Sequence, residues 1–298
     1  MIGRQEGGAR RHGKLKQNEP GKPLISVITA TCNAARFLPD TIRSIRAQSY
    51  ANIEWIVIDG GSTDATLDLL KANDDMIDYW LSEPDRGIYN AWNKGLAQAK
   101  GEWICFLGAD DYFWDAQVLE QMARQLEKLP AGVRVAYGQI MVANANGEGL
   151  YLIGEPWQQV KERFKQVMCI PHPGTMHRRS LFEQHGKFDE SFRIAGDYEL
   201  LLRELKTADA FFIAGVTSTA MRQGGISSIP ANSLLQLREV RRAHRMHGQY
   251  FPGRFWLMAM MRVYMRLLLW GVFGERLARK ALDLGRRMMG LPPFWTRT

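Results

Sequence analysis

The stretch EWICFLGADDYFWD, residues 102–115, runs from an apolar segment straight into two adjacent carboxylates. Trp103-Ile104-Cys105-Phe106-Leu107 shows no alternation of polar and apolar residues, so it reads as a strand covered on both faces. It stops at Gly108-Ala109, and Asp110, Asp111 and a group of aromatics follow. The neighbouring segments alternate in kind. Leu24–Thr29 and Glu54–Ile58 read as strands, Pro39–Gln48, Ala65–Lys71 and Ile88–Lys100 read as helices, and a short segment, Asp78–Ser82, precedes the last of these. Ser62, Thr63 and Asp64 offer a cap for the second helix, and Gly101 stops the third. Asp115 opens a helix over Ala116–Leu129, and Val133–Tyr137 is one more strand. Strands joined through helices need crossover connections, which gives an α/β fold with a mainly parallel sheet flanked by helices.

Such sheets bind ligands outside the carboxyl ends of their strands. Three of those ends are small or acidic: Thr29-Ala30-Thr31, Asp59-Gly60-Gly61 and Gly108-Ala109-Asp110-Asp111. Adjacent carboxylates in a cleft raise each other's pKa unless a cation lies beside them. An all-oxygen pair suits Mg²⁺ or Mn²⁺, which keep several waters and complete their shell on substrate phosphates. The motif therefore suits a divalent ion held against a diphosphate. An ordinary surface turn or helix start is the alternative that the motif alone leaves open.

Charge is divided unevenly along the 298 residues. The formal total is +8, but residues 231–298 carry +10 and residues 1–22 carry +4, which leaves −6 on residues 23–230. An acidic central domain excludes a basic nucleic-acid groove there. Cys32, Cys105 and Cys169 are odd in number and lack C-x-x-C spacing, so they read as reduced thiols of a cytosolic protein. Residues 1–22 have no apolar core and read as a disordered basic leader. Beyond residue 138 a hairpin around Asn146-Gly147 is expected, then a loop-rich stretch, a helix near Tyr198–Leu205, and strands near Phe211–Ile213 and Thr217–Met221.

Longer motifs give the chain a family likeness. ISVITATCNAARFLPDTIRSIRAQSYANIEWIVIDGGSTDATLDLL (25–70), SEPDRGIYNAWNKGLAQAKGEWICFLGADD (82–111) and MHRRSLFEQHGKFDESFRIAGDYELLLR (176–203) together resemble the family-2 glycosyltransferases, over roughly residues 23–222. The resemblance implies a GT-A-type, Rossmann-like sheet and inverting transfer of a sugar from a nucleotide-diphosphate donor. It implies that Thr29, Ala30, Thr31, Asn33 and Asp59 receive the base and ribose, with Asp85, Arg86, Asn90, Asn93 and Lys94 beside the nucleotide. Many relatives have two acids before the Gly-Ser, the second pairing with uracil. Here Gly60 follows Asp59, so the uracil contact does not carry over. Asp110 matches the acid that contacts ribose or metal, Asp111 the direct metal ligand, and His172 lies in a segment that approaches metal and diphosphate in relatives. Asp197 matches the general base, since an acceptor hydroxyl must lose its proton as it attacks. Three blander roles stand beside these: an ordinary polar helix face for Asn93 and Lys94, a helix cap for Asp197, and a buried hydrogen-bonded imidazole for His172.

Residues 231–298 read as a basic amphipathic helical region. FWLMAMMRVYMRLLLWGVFG could span a bilayer by length, yet Arg262 and Arg266 would each cost roughly 2.5–3.5 kcal/mol near its centre. An interfacial helix avoids that cost, with Trp256, Met260, Leu267 and Trp270 in the acyl boundary and flanking arginines on an anionic membrane surface. A helical hairpin packed on protein is the alternative. The expectation is a catalytic domain at 23–230 acting on a glycan or lipid-linked acceptor, peripheral on the cytoplasmic face of the membrane. The rival readings are a nucleotidyltransferase, which normally carries a Gly-rich basic loop that TATCNAARF lacks, and a catalytically silent scaffold.

Overall fold

The structure, a computed structural model, describes residues 3–225 and 232–288. The first half alternates as the periodicity predicts. After β1 (Gln5–Gly7) and a 3-10 turn come β2 (Ile25–Thr31), α1 (Leu38–Arg46), β3 (Ile53–Asp59), α2 (Thr66–Ala72), β4 (Tyr79–Ser82), α3 (Ile88–Gln98) and β5 (Trp103–Phe106). Next are β6 (Tyr112–Phe113), α4 (Val118–Leu126), the hairpin β7 (Val135–Ala143) and β8 (Gly149–Ile153), α5 (Trp157–Phe164), β9 (Met176–Arg178) and α6 (Arg179–His185). The chain continues through α7 (Gly196–Leu205), β10 (Phe211–Arg222), α8 (Ser233–Met246) and α9 (Arg254–Met288).

One sheet runs in the order β1-β4-β3-β2-β5-β9-β7-β10-β6, with β8 on the side of β7. The strands β4, β3, β2 and β5 are parallel, while β9 inserts antiparallel between β5 and β7. Alternate residues serve opposite layers: Ile28, Ile56, Ile58, Ile104 and Phe106 pack to one side, and Val27, Trp55, Val57, Trp103 and Cys105 to the other. Both faces are dry, so these strands read as continuous apolar runs in sequence. The two strands expected at 211–213 and 217–221 form one, β10, whose pairing with β7 is irregular between Phe212 and Thr219.

Three expectations change. The supposed leader is built into the domain: β1 pairs antiparallel with β4, Lys16 Nζ lies 2.9 Å from Asp78 Oδ2, and Arg10 pairs with Glu54. Glu54 and Asp78 are almost wholly buried, and among the described residues only the leader's cations balance them. Composition cannot reveal that complementarity. Second, α8 belongs to the domain, because Val240 and Ala243 sit in the core and Tyr198 Oη meets His244 Nε2 at 2.9 Å. The expected boundary at 230/231 itself lies outside the described residues.

The third change concerns α9, which kinks at Gly274 and contains one stretch, Arg254–Gly274, long and apolar enough to cross a membrane. Its inward side is the one expected to face lipid. Trp256 packs partly on the core and donates to Leu237 O at 3.3 Å, and Arg266 bonds Ser233 Oγ and lies over Trp270. The open side instead carries Leu257, Met258, Met261, Tyr264, Met265 and Leu268.

The Arg10–Glu54 pair gives a direct test of the N-terminal correction. Arg10→Ala leaves a buried carboxylate without its cation, a change that costs roughly 3 kcal/mol in comparable cases. Chemical denaturation should show that loss, whereas a dispensable leader would leave the midpoint where it was.

Candidate active site

The registers align the carboxyl ends of the central strands. Thr31 of β2 stands opposite Asp59 of β3, and Asp59 opposite Ser82 of β4. Asp59 is fully buried and committed to its own loop: Oδ2 accepts from Gly61 N (3.2 Å), Ser62 N (3.0 Å) and Ser82 Oγ (2.6 Å), and Oδ1 from Ser62 Oγ. Asn33 has a positive φ of 51°, and its Oδ1 accepts from Thr63 N at 2.8 Å. Ser62 Oγ accepts from Asn33 N at 2.7 Å, and Asp64 Oδ1 from Thr66 N at 3.0 Å at the start of α2. These bonds sew the loop after β2 to the loop after β3. Thr29 is buried and accepts from Trp55 Nε1 at 3.0 Å, Ala30 is half-buried, and the buried hydroxyl of Thr31 has no partner among the described residues.

Asp85 closes this corner from a third loop. A Cβ added at Gly60 would lie 2.6 Å from Asp85 Oδ2, so a carboxylate fills the space beside the residue where relatives carry a second acid. Asp85 Oδ1 also accepts from Gly87 N at 2.9 Å, ahead of α3. The polar face of α3 turns elsewhere. Arg86, Asn90 and Asn93 converge on Glu190, at 2.6, 2.8 and 3.0 Å, and hold its carboxyl down at about 2 through those hydrogen bonds. Asn93 also brackets Phe188, donating to its carbonyl at 3.0 Å and accepting from its N–H at 3.1 Å. Lys94 pairs with Glu83 at 2.8 Å. The helix face expected beside the donor thus also clamps the loop that precedes α7.

Asp110 and Asp111 follow β5, as read. Both approach Gly108: a Cβ there would meet Asp111 Oδ2 at 2.7 Å and Asp110 Oδ1 at 2.8 Å. Burial raises both carboxyls, and the proximity of Asp110 drives Asp111 further above the usual range. Arg222, at the end of β10, was not foreseen. Its N–H donates to Asp111 Oδ1 at 3.2 Å, its guanidinium to Asp110 O at 2.9 Å and to Asp40, and it stacks over Phe37 and Tyr112. It balances the acidic pair only in part, since its side chain pairs with Asp40 and not with either of the two carboxylates.

Asp197 is the second residue of α7, not its cap. Its Oδ1 accepts from Tyr198 N at 2.8 Å and from Tyr89 Oη at 3.3 Å, and Tyr89 Oη accepts from Gly196 N at 2.8 Å. The carboxylate lies deep among protein atoms yet keeps part of its surface open, and burial raises it to about 6. His172 takes the blander role in part. It packs against both Trp92 and Phe106, with centroids at 4.9 and 5.6 Å, and burial lowers it to about 3, so it is neutral. Among the described residues its Nε2 has no partner.

A divalent ion was expected on Asp111, Asp110 and His172. Among the described residues no three metal-ligating side chains gather, so His172 does not complete a set with the two acids. The acidic pair alone fits Mg²⁺ or Mn²⁺: buried, oxygen-only and incompletely neutralised, it suits an ion that takes its remaining ligands from water and phosphate.

Comparison with known proteins agrees with this architecture. The family model described as Glycosyl transferase family 2 matches residues 26–186. A PGL/p-HBAD biosynthesis glycosyltransferase of Mycobacterium bovis is 31% identical over 185 residues, 61% of this chain and 69% of that protein. An uncharacterized glycosyltransferase of Mycobacterium tuberculosis is 37% identical over 238 residues, 78% of this chain and 87% of its own. Among solved structures, S. aureus TarS 1–349 in complex with UDP-GlcNAc superposes with a TM-score of 0.57 at 18% identity, over 74% of this chain and 66% of that one. The match spans only 39% of the longer TarS chain. Mannosyltransferase PcManGT from Pyrobaculum calidifontis, in complex with GDP-Man and Mn²⁺, gives 0.57 at 17% identity over 92% of this chain and 80% of its own. At such identities the structural likeness speaks for the fold.

The environment of Asp197 sets a stability test. A carboxyl raised from 3.8 to about 6 disfavours its own ionisation in the folded state. The penalty is absent below pH 4, grows between pH 4 and 6, and is complete above. Allowing for partial exposure, it amounts to about 2 kcal/mol. Asp197→Asn should therefore be more stable than the parent at pH 7, the two converging near pH 4. Urea denaturation across that range measures it, and a variant less stable at pH 7 would mark the side chain as structural.

Proposed function

The chain belongs to glycosyl transferase family 2, and from that membership we propose that it is an inverting, metal-dependent enzyme that moves a sugar from a nucleotide-diphosphate donor to a lipid-linked or glycan acceptor. The observation that carries the reading is the half-open, deeply set carboxylate of Asp197, joined through Tyr89 to the first turn of α3, whose start follows the Asp85 loop. In this reading a proton acceptor stands near the amino end of α3, the helix that follows the carboxyl end of β4.

Asp197 would take the proton of the acceptor hydroxyl as oxygen attacks the anomeric carbon, with Tyr89 Oη holding Oδ1 in place. The loops after β2 and β3 and Asp85 would enclose the nucleoside, and Arg86 and Lys94 border them. Asp110 and Asp111 would hold Mg²⁺ or Mn²⁺, which when bound neutralises charge on a departing diphosphate. TarS and PcManGT, whose structures hold UDP-GlcNAc and GDP-Man, support a nucleotide-sugar donor. The mycobacterial relative named for PGL/p-HBAD biosynthesis favours a cell-envelope glycan as product.

A membrane-presented acceptor fits the last two helices. Arg238, Arg241, Arg242 and Arg245 of α8 line a cavity of about 310 Å³ with Trp256, Met260 and Tyr264 of α9. No acid lines it, and the open apolar side of α9 lies alongside. An interfacial seat on anionic lipid at the cytoplasmic face suits that pairing of arginine and apolar surface.

Two measurements test the proposal. Transfer from a panel of nucleotide sugars should need Mg²⁺ or Mn²⁺ and should rise with pH through about 6, where Asp197 loses its proton, then level off. Asp197→Asn should lower it by roughly 10²–10⁴-fold while nucleotide affinity persists. Full activity in excess EDTA would end the metal reading. Separately, Met261→Glu with Leu268→Glu, at sites 57% and 66% exposed, should release the chain from phosphatidylglycerol vesicles without lowering its stability. Unchanged co-sedimentation would move the membrane contact elsewhere.

A further inference from the structure

We infer that Glu239, on α8, is the positioning residue for Asp197, fixing the backbone that presents the acceptor-side carboxylate. The inference rests on the proposed base role of Asp197 and extends the site to a helix outside the family-like motifs.

Glu239 is 6% exposed and accepts three consecutive backbone N–H groups: Arg193 N on Oε1 at 2.8 Å, and Ile194 N and Ala195 N on Oε2 at 2.8 and 2.9 Å. The next N–H, of Gly196, goes to Tyr89 Oη. Four successive amides leading into Asp197 are thus bound by side chains from two other elements, α8 and α3. Hydrogen bonds to an ionised acceptor are about twice as strong as neutral ones. A carboxylate that accepts both from 193 and from 194–195 also fixes the rotation of the peptide planes, and with it the direction in which residue 197 leaves the chain.

The same carboxylate acts on Asp197 through its charge. Burial is the main cause that raises Asp197; the N–H of Tyr198 and the Tyr89 hydroxyl lower it, and the charge of Glu239 from α8 adds a smaller push upward. Arg193, Arg238 and Arg242 line the shallow cavity beside Glu239, but none pairs with it within 4.0 Å among the described residues. A carboxylate that merely capped α7 would hold the fold together. One that positions a base should also govern where that base stands and when it ionises.

Glu239→Gln separates these roles, because an amide offers only one oxygen to three donors and carries no charge. In the full chain, kcat for transfer should fall roughly 10–100-fold, the loss typical of a reacting group misplaced by about 1 Å, with the donor KM within about twofold of the parent. The acid limb of the pH–rate profile should move to lower pH. A reading independent of activity is the pH at which Asp197 titrates, taken from the stability difference between parent and Asp197→Asn with and without Glu239→Gln. That pH should fall when Glu239 is replaced. Glu239→Asp keeps the charge but shortens the reach, so it should lose kcat while its acid limb stays near the parent's; it carries the test if Glu239→Gln does not fold. Unchanged kcat, an unmoved titration of Asp197, or donor affinity lost in step with transfer would overturn the inference. A shifted titration in a chain that transfers no sugar would instead sink the base assignment and leave the positioning intact.

Discussion

Glu54 ties the amino ends of the central strands together, and everything at their carboxyl ends depends on that knot. Its carboxylate, almost wholly buried at the start of β3, meets Ser26 Oγ of β2, the amides of Lys100 and Gly101 just before β5, and Arg10 of the N-terminal segment. A buried charge must be hydrogen-bonded and paired, so sliding any of these three strands by one residue would strand it. The register thus set pairs Ser26 with Glu54 and, further along, Thr31 with Asp59. The loops after β2 and β3 meet because the opposite ends of those strands are locked.

The acids of the candidate site follow a different rule. Where Glu54 and Asp59 are saturated with donors, Asp110, Asp111 and Asp197 are buried with too few, and all three are raised. That contrast among acids of similar depth marks a working site more firmly than burial alone. Asp59 and Glu190 hold loops through their full sets of donors, whereas the raised acids are short of donors.

Much of this was legible in the sequence, and the limits have a physical cause. Periodicity placed β2, β3, β5, α1 and α3 within a few residues, because both faces of the sheet and one face of each helix are apolar. Asp110 and Asp111 stood out because two acids at the end of a greasy strand are locally odd, and Asp197 stood out only through the resemblance of its motif to family-2 glycosyltransferases. Arg222 and Glu239 carried no such sign. One is a basic residue after a strand and the other an acid in a basic helix, and their partners lie 111 and 44–46 positions away. Likewise the leader looked disordered because its partners, Glu54 and Asp78, are specified only once the sheet exists. Asn90 and Asn93 were read toward the nucleotide, yet Glu190 claims them; only the fold brings that acid over α3.

The three residues of β1 have an effect beyond the charges that follow them. A sheet must end somewhere, and an unpaired row of N–H and C=O groups invites a second molecule to dock there. Here Gln5, Glu6 and Gly7 cover Ser82, Leu81 and Trp80 of β4, and Arg4 and Glu6 add charge along the outermost margin. The segment therefore serves as a selvedge. Without it the hydrophobic strand Tyr79–Ser82 would become a template for strand addition, and solubility at high concentration would be the first property to suffer.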